Sequence, residues 1–134
     1  MEKILVDKWN ERNVQVKNAI SALLEGDSWN ITYTKILKVT LEAMFEDDYD
    51  EYYGYPNYEN IHVIDDGDYQ GILLFIIPEY GYQPSIYWKF EVFYGSCSYC
   101  DTLQGILEDE DNKEQQIKDL ITLALHMIQN GKVI

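Results

Sequence analysis

Basic residues are scarce in this chain, and across its middle third they are missing. Ten lysines and arginines stand against 24 aspartates and glutamates in 134 residues, giving a net charge of −14 and a pI of about 4.3. So negative a surface repels DNA, RNA and anionic lipid, which excludes direct nucleic-acid and membrane binding. It suits a basic protein partner. Only two cysteines are present, too few for a disulfide scaffold, and they read as reduced cytosolic thiols. No stretch approaches the roughly 20 apolar residues of a membrane helix; the longest apolar run, 72–77, has a strand's length. The opening Met1-Glu2-Lys3-Ile4 has neither a basic n-region nor a small-residue cleavage site, so the chain is expected to be soluble and cytoplasmic. GxSxG, Walker A, HExxH and GxGxxG are all missing, and neither an enzyme nor a cofactor is expected.

What is present is apolar enough to fold. At 46% hydrophobic and 14% aromatic, the chain carries the buried surface that disordered chains lack, and its length suits one acidic domain, 1–134. The acids are unevenly placed. From 39 to 88 there are eleven acids and no base, whereas the rest of the chain holds thirteen acids and ten bases, so this segment supplies −11 of the −14. It also holds nine of the twelve tyrosines. Solvation alone accounts for carboxylates but not for tyrosines, which are enriched at interfaces because they add a large apolar face at low entropic cost. Interleaved carboxylates and tyrosines can meet arginines by ion pair and by cation–π contact. The candidate partner-binding surface is Glu46, Asp47, Asp48, Asp50, Glu51, Tyr52, Tyr53, Tyr55 and Tyr58, with a solvated acidic loop as the bland alternative.

Periodicity orders the elements. Ile4, Leu5, Trp9, Val16, Ile20, Leu23 and Leu24 recur at helical spacing, with residues 10–13 open to an interruption. A second helix is expected over 34–45, with its N-cap somewhere in 28–34. Residues 46–60 break the pattern and read as a loop. A strand at 61–64 leads into Asp65-Asp66-Gly67-Asp68, read as a hairpin turn, and the return strand 69–77 is apolar on both faces and therefore central. A third strand is expected over 86–94, a short helix capped by Ser98 or Asp101 through 107, and a last helix over 112–129 that the Asn130-Gly131 pair stops. His62 and His126 are expected to be packed. The fold class is α+β: a three-stranded antiparallel meander packed with N-terminal and C-terminal helices, in the order α-α-β-β-β-α-α.

The segment Tyr94-Gly-Ser-Cys-Ser-Tyr-Cys-Asp-Thr-Leu-Gln104 holds the one Cys-x-x-Cys. As a redox site, Cys97 would be a helix-stabilised thiolate, but no βαβ unit precedes it. As half of a zinc site, Cys97 and Cys100 would need His62 and His126 or a symmetry mate. As structure, Gly95, Ser96, Cys97 and Ser98 are small enough to turn a strand tightly into a helix. No metal is assigned; Cys97 and Cys100 are the candidates if there is one. Asp65, Asp66 and Asp68 around Gly67 suggest calcium only superficially, because the later glutamate of an EF-hand is missing at Ile76-Ile77.

Residues 61–105 resemble a family of small proteins from phages and prophages of Gram-positive bacteria. The resemblance is carried by Asp65-Asp66-Gly67-Asp68-Tyr69-Gln70-Gly71, by Pro78 and by the YGSCSxCDTLQ motif, with Tyr99 standing where the pattern has a small residue. It implies a phage setting inside a host bacterial cell, where small acidic proteins bind host proteins, DNA mimics and anti-CRISPR inhibitors among them. The expectation is a non-enzymatic inhibitor of a basic, nucleic-acid-binding host protein, a CRISPR-type nuclease being one such target. A toxin-immunity protein and a small-ligand or metal-binding protein built on the Cys97–Cys100 turn are the alternatives. A homodimer is left open.

Overall fold

The computed structural model describes residues 2–27, 30–46, 54–67, 71–81, 83–95, 102–108 and 111–134. The elements run α1 (Lys3–Asp27), α2 (Tyr33–Phe45), β1 (His62–Gly67), β2 (Gly71–Pro78), β3 (Tyr87–Tyr94), α3 (Thr102–Glu108), α4 (Lys113–Gln129) and β4 (Lys132–Val133). Among the described residues this makes four helices and a four-stranded antiparallel sheet in the order β1-β2-β3-β4, an α+β arrangement. The expected meander is one strand short. β4 pairs Lys132 with Lys89 and Val133 with Trp88. Two residues are too few to show an alternating pattern, and the Asn130-Gly131 pair before them reads as a stop.

α1 leaves helical geometry at Arg12 (φ −120°, ψ 18°), inside the stretch expected to interrupt it. There the Arg12 Nε donates to the Ala43 carbonyl of α2 at 3.1 Å. That carbonyl is among the last four of α2, which have no partner within the helix, and a cation at a helix C-terminus is favoured by the dipole. α2 starts at the Thr32 N-cap, whose Oγ1 accepts from the Lys35 N–H at 3.2 Å. α4 starts at Asn112, whose Oδ1 accepts from the Gln115 N–H at 3.1 Å. The Ser98 and Asp101 caps expected for α3 lie outside the described residues. Instead α3 is tied at both ends by other elements. The buried Tyr33 hydroxyl accepts from the Leu103 N–H at 3.3 Å, and the buried Gln116 amide donates to the carbonyls of Ile106 and Leu107.

β2 lies between β1 and β3, as its double-sided apolarity requires. β1 runs on through Gly67, which pairs with Gly71, so Asp65 and Asp66 are strand residues and not a turn. Only 68–70, outside the described residues, remain to join the two strands. The register stacks Phe75 on Phe90 and Ile77 on Trp88, all buried under the helices. Gly131 sits where this face meets α1 and α4, and a Cβ there would overlap both the Phe90 ring and the Leu5 Cδ1. Its role is close approach and not a left-handed helix stop, since the positive-φ glycines among the described residues are Gly54 and Gly81. His62 and His126 are both exposed, correcting the expectation that they are packed. No helix among the described residues is long and apolar enough to cross a membrane.

Candidate functional site

Of the nine residues expected to form a contact surface, Glu46, Tyr55 and Tyr58 are described; Asp47, Asp48, Asp50, Glu51, Tyr52 and Tyr53 lie outside the described residues. Glu46 is exposed, and its N–H donates to the Glu42 carbonyl at 2.7 Å as the last bond of α2. Tyr58 is half-buried against the core. Tyr55 is not a surface residue. It is buried, with its ring 4.9 Å from that of Phe45 and tilted 45° to it, and the Lys8 ammonium lies 5.5 Å from the ring centroid.

These contacts close the acidic segment at its base. Phe45 ends α2 just before the acids, and Tyr55 follows them, so residues 46–54 leave and return at one place. The returning limb is pinned to the sheet. The Tyr80 N–H donates to the Tyr55 carbonyl at 2.8 Å, the Asn57 N–H to the Pro78 carbonyl at 2.8 Å, and Pro56 forms a bridge with Glu79. Gly54 is held on both sides. Its N–H donates to Glu79 Oε2 at 3.2 Å and its carbonyl accepts from the Trp88 indole N–H. At φ +86° this position favours glycine, which has no Cβ to strain it.

Glu79 organises the clamp. Its Oε1 accepts from the Ser85 N–H at 2.7 Å and from the Ser85 hydroxyl at 3.0 Å, so one carboxylate joins residues 54, 79 and 85. The Ser85 N–H, then the Ser85 hydroxyl, hold the carboxyl below its ordinary value of 4.5; partial desolvation opposes this and the Gly54 N–H adds to it. Sequence reading missed Glu79, Trp88 and Lys8 because each acts through backbone groups or rings distant in the chain.

Lys38 and Glu59 approach to 3.9 Å beside this base, α2 supplying the lysine, and both are substantially exposed.

A second feature joins β3 to the β1–β2 hairpin. Tyr94 pairs with Gly71, which pairs with Gly67. With no side chains at 67 and 71, the Tyr94 hydroxyl reaches Asp65 Oδ1 and lies 3.0 Å from the Gly67 carbonyl. Tyr33, Asp65, Leu73, Tyr94 and Gly95 line a shallow, open cleft of about 220 Å³. Cys97 and Cys100 follow Gly95 in the chain but lie outside the described residues. Among the described residues no group of three His, Cys, Asp or Glu side chains could hold a metal ion. In comparisons with known proteins, no family model, no curated protein and no solved structure matches the chain.

Proposed function

We propose that this chain is a non-enzymatic binding protein that captures a basic protein surface with its acidic, tyrosine-rich loop. The observation that carries the reading is the closed base, in which Phe45 meets Tyr55 and Gly54 is clamped by Glu79 and Trp88. A loop pinned this way loses less conformational entropy on binding than a free segment with the same charges. Glu46, Asp47, Asp48, Asp50 and Glu51 supply the carboxylates, Tyr52 and Tyr53 the aromatic faces, and Tyr55 the anchor. The partner is a protein with clustered arginines, such as a nucleic-acid-binding groove, where carboxylates take the place of phosphates. The narrower form of the proposal, a phage inhibitor of a host defence nuclease, adds the setting implied by the motif; a cognate toxin would satisfy the same physics.

The test is capture from host lysate at low and high salt, with wild type beside a variant carrying Asp47→Lys, Asp48→Lys, Asp50→Lys and Glu51→Lys. A basic protein held at low salt, released at high salt and ignored by the variant is the expected result. Equal capture by the folded variant would refute the reading. The cleft lined by Tyr33, Asp65 and Tyr94 favours a second reading, a small-ligand site at the Tyr94–Gly95 end of β3. A stoichiometric small molecule or zinc in the purified protein would speak for it.

A further inference from the structure

Asn130 is the only asparagine of the chain that precedes a glycine. That dipeptide is prone to deamidation, because no side chain at Gly131 hinders the backbone nitrogen. The nitrogen, once deprotonated, attacks the Asn130 side-chain carbonyl carbon. The amide C–N bond breaks and ammonia leaves, taking up the proton through solvent. Water then opens the cyclic imide at either of its carbonyls. One opening gives aspartate; the other gives isoaspartate, whose main chain runs through the former side chain and is a methylene longer.

Asn130 is exposed, so water reaches it, and what holds the reaction off is geometry. The five-membered ring needs the Gly131 nitrogen eclipsed with the Asn130 Cβ. At ψ −4° it is eclipsed with Asn130's own nitrogen instead. The Gly131 N–H donates to the Ile128 carbonyl at 2.9 Å, which disfavours its deprotonation. The Asn130 side-chain amide is held as well: Nδ2 donates to the His126 carbonyl at 3.1 Å and lies 3.5 Å from that of Glu91. Rotating ψ at Asn130 swings Gly131, which is seated where even a Cβ would overlap the Phe90 ring and Leu5 Cδ1. Phe90 and Leu5 are both fully buried and have no room to retreat. The ring therefore closes only after Gly131 has left its seat in the core.

Neither product refits this end of α4. Aspartate has no N–H for the His126 carbonyl, and it sets a carboxylate at the negative end of the helix dipole in a chain of net charge −14. Isoaspartate lengthens the main chain between α4 and the Lys132–Lys89 and Val133–Trp88 pairs, where Gly131 has no spare space. We infer that Asn130-Gly131 is a self-modification site that the folded core keeps shut and unfolding opens, making a long excursion from the native state irreversible. This holds whatever the acidic loop binds.

The test is peptide mapping by mass spectrometry of the full chain incubated at mildly alkaline pH, folded and in denaturing urea. The peptide holding Asn130 should gain the mass of amide-to-acid conversion at least about tenfold faster in urea, because the rate follows the population of the open form. In a series of sub-denaturing urea concentrations the rate should climb with the unfolded population. Leu5→Ala, which removes one wall of the Gly131 seat, should speed the reaction of the folded chain by at least the factor by which it raises that population. Asn130→Asp, equivalent to one product, should unfold at lower urea than wild type. Equal rates in the folded and unfolded chain overturn the inference, as does a folded-state rate indifferent to sub-denaturing urea. An Asn130→Asp chain as stable as wild type overturns it too, since deamidation would then leave the fold intact.

Discussion

Phe45 and Tyr55 stand ring against ring at 4.9 Å across the most acidic stretch of the chain. Both are buried, so the contact belongs to the core while the residues it brackets carry the charge. Tyr55→Ala should cost about 3 kcal/mol by leaving a cavity against Phe45, measurable by urea denaturation. At a temperature where the variant stays folded, capture of a basic partner should weaken although no carboxylate is altered. Tyr55→Phe keeps the ring and should bind normally.

Glu79 makes the clamp sensitive to acid. Its carboxyl is held below the ordinary 4.5 in the folded chain, chiefly by the Ser85 N–H, so the folded state favours the ionised form. That contribution is complete above the unfolded value and is lost as pH falls through the lower, folded value. Acid unfolding should therefore include a component below pH 4.5 that Glu79→Gln removes. The glutamine variant should also be less stable than wild type at neutral pH, as denaturant midpoints across the pH range would reveal.

Thr40 lies fully buried in the middle of α2, and its hydroxyl has no hydrogen-bond partner among the described residues. An unpaired buried hydroxyl costs desolvation without return. Thr40→Val should stabilise the protein by about 1 kcal/mol, raising the thermal midpoint. A drop in stability would mean that the hydroxyl is bonded to a carbonyl of the preceding turn.

Gly131 leaves no room for a methyl group. A Cβ there would meet the Phe90 ring, Leu5 Cδ1 and, at 3.0 Å, the Ile128 carbonyl. The backbone carbonyl cannot rotate away as a side chain can, so Gly131→Ala should destabilise by about 1–3 kcal/mol. Gly26→Ala, at a position with open space around it, is the control and should change little.

Local patterns were legible and distant pairings were not. The apolar spacing of α1 and α2 can be read from the chain because each face repeats over several turns, and the Arg12 kink falls where polar residues interrupt that repeat. The centrality of β2 was visible in its unbroken apolar run. Asp65-Asp66-Gly67 reads as a turn by composition, yet the strand continues because Ile72 and Leu73 pair with those aspartates across the ladder. In sequence Tyr55 reads like Tyr52, Tyr53 and Tyr58 around it, since nothing there says that Phe45 waits for it. The acids of the candidate surface were evident from charge alone; the clamp of Glu79, Gly54 and Trp88 was not, because it joins residues brought together only by the sheet.

The meeting of Leu5, Phe90 and Gly131 has a kinetic consequence. The β1–β2 and β2–β3 hairpins close over short loops, whereas this contact joins distant parts of the chain and must wait for all three. Loop-closure entropy places it late, after the hairpins have formed. Substitutions at Leu5 or Gly131 should then mainly quicken unfolding, while those along β2 should slow folding itself. The protein would thus be nucleated by its sheet and kept shut by its N-terminal helix.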